Sequence, residues 1–409
     1  MSQEKKVFET PEYDLICAVE AANVNRRFIP YSVGSPSRAS TYTGQKDRVN
    51  LLFFSDSHID YEEPEEISGA ALDNVRRTIA FANDSKVPFD ALIHTGDVIT
   101  PMGKYKKEDS LENASVFFTE AKKSRYPFVF SKGNHDLNDW SNYPGEVFTD
   151  RDWSELFFDY AEENFGIVRQ TKKNGEKSTW HYLDLDAKKI RIISVDPQDT
   201  DKTVVFKSGE AGEALEGTCK LHGGKSFYIS NEQINWIAST ALNFDDKAEK
   251  DWGVILAFHQ TQRGENPYHE DAIDKLFALC EALNHASVYD NEYVNADNAF
   301  FNWSVHADFT RYANLEKKPH IVCVLLGHMH EDIYKVSHGL HLIWTLNNSA
   351  IIASGDARIA RVPGTVTQNS FDIVNIDTRE RRIRLFRYGA GQDCYGVGGD
   401  RFLPDGLQY

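Results

Sequence analysis

An α/β fold built on parallel strands is predicted by two observations on this chain of 409 residues. From Arg48 to about Asp136, apolar runs of strand length alternate with segments whose apolar residues recur at helical spacing. That alternation is the pattern of parallel strands joined by helical crossovers. In addition, five short polar motifs each stand where an apolar run ends: Asp56-Ser57-His58, Gly96-Asp97, Gly133-Asn134-His135-Asp136, His259 and Gly327-His328-Met329-His330. In open α/β sheets, chemistry gathers beyond the carboxyl ends of the strands. Both observations therefore point to a candidate site along one sheet edge.

Taken in order, residues 1–47 read as an extension packed on the main domain, with DLICAVEA and FIPYSVG as strands and a Gly/Ser/Thr-rich loop at its end. The main domain, 48–390, opens with the strands VNLLFFS, FDALIHT and YPFVFSK, separated by the helices ISGAALDNVRRTIAFAND and KEDSLENASVFFTEAKKS. A helix around Asp152–Asn164 leads to WHYLDLD and KIRIISVD, a strand pair, and then to a loop over 197–228 rich in Gly, Asp and Lys. The helix NEQINWIASTAL, with Trp236 on its apolar face, precedes the strand GVILAF. Residues 262–318 combine a polar start, the helical DAIDKLFALCEALNHA and the aromatic-rich FFNWSVHADFTRY, and read as an insertion or lid near the strand ends. After HIVCVLL, the runs HLIWTLN, FDIVNID and RIRLFRYG are expected to form the antiparallel part of a second sheet, followed by a C-terminal tail, 391–409.

Composition narrows the function classes. At 41% hydrophobic and 26% charged residues the chain is ordinary for a globular protein. No run approaches the eighteen apolar residues of a membrane span. Five scattered cysteines without CxxC spacing argue against disulfide staples and zinc ribbons. Together with a start, MSQEKKVFETPEYD, that lacks the apolar core of a secretory signal, they give a cytoplasmic expectation. A formal charge of −17 opposes nucleic acid as a partner, because such binders carry basic patches that displace phosphate counterions.

The motifs carry the chemistry. Asp56, Asp97, His58, His259, His328, His330 and Asn134 offer carboxylate, imidazole and amide-oxygen donors without a thiolate, a set suited to Mn, Fe, Zn or Co. Seven donors are too many for one catalytic ion with an open position, but they suit two ions sharing a carboxylate. Two divalent ions outweigh two carboxylates, so the pocket keeps positive charge for a phosphate group. Paired ions about 3.5–4 Å apart can clamp the attacking and leaving oxygens of an in-line displacement.

The pattern DxH, GD, GNH(D/E), H and GHxH, in that order, resembles the calcineurin-like metallophosphoesterases. The resemblance implies a four-layer α/β/β/α sandwich of two mixed sheets with the dinuclear site at its upper edge. It implies that Asp56, His58 and His330 hold one ion, that Asn134, His259 and His328 hold the other, and that Asp97 bridges them. His135 would stay off the metals as general acid toward the leaving oxygen, or orient the phosphate. The chain departs from the pattern at Thr100, where purple acid phosphatases carry a tyrosine ligand and many other members an aspartate that pairs with the catalytic histidine. His135 must then be oriented by another group, with Asp136 or a backbone carbonyl as candidates. GDVITPMG and GNHD also differ from the protein-phosphatase signature.

The expected activity is hydrolysis of a small-molecule phosphodiester, nucleotide-like or a lipid head group, by in-line attack of a metal-bridging hydroxide. A phosphomonoesterase of the same fold is the alternative. A nuclease and a non-catalytic scaffold stand behind it, opposed respectively by the acidic balance and by the complete donor set. Among other residues, His94 reads as core, while Trp303, His306 and Arg311 read as packing ahead of substrate contact. Asp196 reads equally as a site support or a turn cap.

Overall fold

β1 (Arg48–Phe54) is buried along its whole length, its one charge, Arg48, paired with Asp377. α1 (Glu65–Asp84), β2 (Ala91–His94), α2 (Lys107–Ala121) and β3 (Phe128–Phe130) follow, and β1, β2 and β3 pair in parallel. This is the expected alternation. The computed structural model describes residues 47–59, 65–85, 88–100, 106–138, 147–199, 228–261, 272–294, 302–349, 361–391 and 407–409. The strands expected within 1–47 and most of the 197–228 loop lie outside these residues.

The chain continues through a helix, α3, that runs Asp150–Trp153, widens to a π-turn at Ser154–Phe158 and closes as Asp159–Phe165. β4 (Val168–Thr171), β5 (Lys177–Leu185) and β6 (Ile190–Ser194) form an antiparallel meander. Next come α4 (Asn231–Trp236, extended by the π-turn Ile237–Ala241), β7 (Gly253–Phe258) and α5 (Ala272–His285). A hairpin of β8 (Val288–Tyr293) and β9 (Trp303–Asp308) leads to β10 (His320–Leu326), β11 (Ile333–Ser337) and β12 (Leu340–Trp344). β13 (Ser370–Asp377), β14 (Arg382–Gly389) and β15 (Leu407–Gln408) complete the order.

Two sheets result, six strands ordered β15-β14-β13-β1-β2-β3 and seven ordered β11-β12-β10-β7-β6-β5-β4. One expectation needs correction. HLIWTLN (β12) lies in the second sheet as expected, antiparallel to β11 and parallel to β10, whereas FDIVNID and RIRLFRYG (β13, β14) join β1 antiparallel in the first sheet. Apolar runs identify strands, but the partner is chosen by which sheet edge the returning chain reaches.

Alternation along the strands separates two cores. In β7, Ile255 and Ala257 face the core shared with the first sheet, while Val254, Leu256 and Phe258 face outward beneath α4, α5 and the hairpin. With α1 and α2 over the first sheet, the layers run α/β/β/α. The described part of 262–318 is α5 and the β8–β9 hairpin; Trp303, Val305 and Ala307 are buried in the outer core, so this part forms a layer of the sandwich. Leu407–Gln408, in the expected tail, adds an edge strand to β14.

A buried histidine gives this fold a pH signature. His181 on β5 is fully buried, and its Nδ1 donates to the Thr179 carbonyl at 3.0 Å. Burial, reinforced by the nearby Arg169 charge and opposed by that carbonyl, lowers its pKa to about 3. Folding therefore favours the neutral ring. The associated stability is fully present above about pH 6.5 and is lost as pH falls from there toward 3, at up to about 1.4 kcal/mol per unit. The urea midpoint of His181→Gln should fall less steeply than that of the wild type between those values. Parallel slopes would exclude His181 as the source.

Candidate metal centre

Strand register brings the polar motifs together. Phe54 lies opposite His94, and His94 opposite Phe130, so the first sheet's three parallel strands end level; Leu326 lies opposite Phe258 in the second. The loops leaving these ends carry Asp56 and His58, Asp97, Asn134 and His135, His259, and His328 and His330. They touch through backbone hydrogen bonds, Asp56 N to Gly96 O at 2.9 Å and His58 N to Asp97 O at 3.0 Å. Gly327 permits a close approach between the sheets: a Cβ there would overlap the Ser55 hydroxyl and sit 2.6 Å from an Asp56 carboxylate oxygen.

Backbone strain is concentrated here. Of the ten described non-glycine residues with positive φ, five are Asp56, His58, Asp97, His328 and His330, with φ between 48° and 70°. Such conformations cost about 1 kcal/mol or more each and persist where the surroundings impose them. Sequence reading carried no sign of this feature.

All seven predicted donor residues converge. One oxygen or nitrogen each from Asp56, His58, Asp97 and His330 lie within 4.8 Å of one another, as do those of Asp97, His259 and His328; Asp97 belongs to both groups. Asn134 Oδ1 joins the second group 3.1 Å from His259 Nε2. His58 Nε2 and His330 Nε2 face each other at 3.0 Å, with His330 Nε2 3.2 Å from Asp56 Oδ1. His135 lies at the rim, its Nε2 3.9 Å from Asp97 Oδ2 and its ring edge-on to His58.

The surrounding bonds aim these groups. Asp56 accepts from the His328 amide at 3.0 Å, and Asp97 Oδ1 accepts from the His135 amide at 2.9 Å. Thr100 Oγ1 bonds His58 Nδ1 at 2.8 Å, so the residue at the departing position orients a histidine of the cluster. Asp136 does not orient His135, contrary to one candidate. Its carboxylate accepts the amides of Asp97, Val98 and Gly133 at 2.7–2.8 Å and ties two motif loops together. His94 is core as expected, with Nε2 on Ser57 Oγ at 3.0 Å and Nδ1 accepting from the Gly96 amide at 3.2 Å. Trp303 is buried in the outer core, His306 pairs with Asp290, and Arg311 with Asp245.

The donor set fits a cation. His259 Nδ1 donates to the Thr95 carbonyl at 2.7 Å, which turns Nε2 toward Asp97 Oδ2 at 3.0 Å and Asn134 Oδ1 at 3.1 Å. An imidazole nitrogen facing two oxygens so closely requires a positive centre, either a proton or a metal ion. Burial lowers the pKa of His259, but Asp97 and Asp56 outweigh it and raise it to about 9. Asp97 is held well below the carboxylate range, since His259 and its neighbours overcome the cost of burial. Burial lowers His58 and His328 to about 3, leaving both free of protons as ligands must be.

A family model for calcineurin-like phosphoesterases matches residues 49–332. The chain belongs to that family. It is a hydrolase acting on phosphoric esters, and its Asp/His cluster could hold metal. Among solved structures, a purple acid phosphatase from yellow lupin is 14% identical, with 91% of this phosphoesterase and 54% of that chain covered and a TM-score of 0.38. An archaeal phosphodiesterase is 9% identical over 83% of this chain and 99% of its own, with a TM-score of 0.30. The phosphopantetheinyl hydrolase of Mycobacterium tuberculosis is 13% identical over 74% and 91%, with a TM-score of 0.30. No curated protein matches the chain. Among the described residues, no helix of the phosphoesterase is long and apolar enough to cross a membrane.

Sequence reading passed over Lys132 and left Asp196 open. They form an ion pair at 2.6 Å, with the two side chains 1% and 2% exposed. The available signal was a lysine closing the buried strand run YPFVFSK, immediately before Gly133-Asn134.

Proposed function

We propose that the phosphoesterase hydrolyses a small-molecule phosphodiester with two divalent ions of the Mn, Fe or Zn type. Asp56, His58 and His330 would hold one, Asn134, His259 and His328 the other, with Asp97 shared. Bound there, the ions would supply Lewis acidity toward the phosphoryl oxygens and the attacking water. The Thr95 carbonyl holds His259 in the tautomer that frees its Nε2, and Thr100 orients the His58 ring through Nδ1. His135 would protonate the leaving oxygen. Burial lowers its pKa against the raising effect of Asp97, so it would hold the proton to be donated only beside the negative charge of a bound substrate phosphate.

The diester reading rests on one observation. Among the described residues, the cationic partners of Asp56 and Asp97 are histidines. The buried Lys132 is committed to Asp196, and the buried Arg387 to Asp332 and Asp372. A monoester carries up to two negative charges near pH 7, whereas a diester carries one. A site whose carboxylates, among the described residues, face histidines rather than lysine or arginine suits the monoanion. With Mn²⁺ restored to the metal-stripped protein, kcat/KM for bis-p-nitrophenyl phosphate should exceed that for p-nitrophenyl phosphate. The reverse order would assign a phosphomonoesterase. Salt-dependent DNA binding with strand cleavage would assign a nuclease.

A further inference from the structure

Three consecutive residues leaving β3 meet three consecutive residues leaving β6, one sheet to the other. Ser194 Oγ donates to the Phe130 carbonyl at 2.8 Å, Ser131 Oγ donates to the Val195 carbonyl at 2.6 Å, and Lys132 Nζ meets Asp196 Oδ2 at 2.6 Å. Apolar packing between sheets holds them about 10 Å apart but is non-directional. The two serine bonds are directional and the ion pair adds Coulomb attraction, so together they fix the spacing more narrowly. On the first sheet this ladder leaves the strand that leads to Asn134, and on the second it leaves β6, the neighbour of the strand that leads to His259. Lys132 precedes Asn134 by two residues, and Val195 N donates to Ala257 O at 3.1 Å, two residues before His259.

We infer that the Lys132–Asp196 pair is a positioning clamp that sets the distance of Asn134 on the first sheet from His259 on the second. The inference rests on the metal reading of that cluster. Asp196 is held from the second-sheet side by Thr179 Oγ1 and by the Gln198 amide at 2.9 Å, and its own amide donates to Gln233 Oε1 at 2.8 Å. Lys132 is the group that reaches it from the first sheet. Asp150, 3.6 Å from Lys132 Nζ, is itself taken by Lys172 at 2.6 Å. The ammonium is thus left to pair with Asp196 by charge and proximity, and the Asn134 loop is drawn toward the second sheet with it. Both side chains are buried, so Lys132 and Asp196 act through Asn134 and His259.

The test is calorimetric Mn²⁺ titration of the metal-stripped full chain, with kcat and KM beside it. Asp196→Asn should weaken one ion by about 10–100-fold and leave the other unchanged, as loss of a supporting group around a metal ligand does. Its kcat should fall by about tenfold, following that loss, with KM little altered. Single variants leave a buried charge without its partner and can unfold, so the charge-balanced double variant Lys132→Met, Asp196→Asn decides. It should regain thermal stability while still binding one ion weakly. Two ions bound as tightly as in the wild type would reduce the pair to mutual charge cancellation and overturn the clamp. So would equal weakening of both ions in step with unfolding. A wild-type chain that takes up no Mn²⁺ would remove the metal reading and the clamp together, whereas two ions in the wild type with an unaltered variant would remove the clamp alone.

Discussion

Asp97→Asn should cut kcat/KM for the chromogenic diester by at least about three orders of magnitude, since Lewis-acid stabilisation of developing charge is worth several kcal/mol and each tenfold corresponds to 1.36 kcal/mol. The expectation follows from its place in the cluster. Asp97 is the carboxylate common to both donor groups, and its neighbours hold it ionised despite burial. The substitution keeps the side-chain shape and an oxygen to accept the His135 amide, now at 2.9 Å from Oδ1, so the loop should persist. Far-ultraviolet circular dichroism and the urea midpoint should stay near wild type, and metal analysis should find fewer than two ions per chain. Undiminished turnover by a folded Asp97→Asn protein would remove Asp97 from the chemistry and the two-ion reading with it.

Gly327→Ala is expected to do comparable damage with a single methyl group. Position 327 faces Ser55 and the Asp56 carboxylate so closely that a Cβ overlaps both, and both are fully buried with no room to retreat. Either the β10 loop or the β1 loop must shift. Overpacking of this kind costs typically about 1–3 kcal/mol. Here the displaced group is also a predicted ligand. The variant should unfold at lower urea and lose the ion assigned to Asp56, His58 and His330, while the ion assigned to Asn134, His259 and His328 is retained. Wild-type stability and stoichiometry would show that the loops can part without consequence, against the close approach described above.

Much of this molecule was legible in the residues because its motifs stand at strand ends. A strand that is apolar on both faces announces itself, and parallel neighbours joined by helices end at the same edge. Asp56, Asp97 and Asn134 could therefore be placed side by side before any coordinates, as could His259 beside His328. Membership of β13 and β14 was not legible in that way. FDIVNID and RIRLFRYG carry the alternation of strands, yet nothing local in them says that they close against β1. Nor was the role of Thr100, which bonds His58 forty-two residues away. Asp136 likewise looks like a second acid of the GNHD motif until its carboxylate is seen gathering three amides from two loops.

The amino-acid order alone determined the donor chemistry, the parallel α/β framework and the edge at which the donors emerge, because side-chain type and hydrophobic period are local properties. Only the tertiary structure decided how the two sheets face each other, and with it the left-handed backbone at five donors, the opposed His259 and Asn134, and the Lys132–Asp196 contact. Each of these depends on distances between strands from different sheets. Such distances arise from packing across a shared core, to which residues far apart in the chain contribute at once.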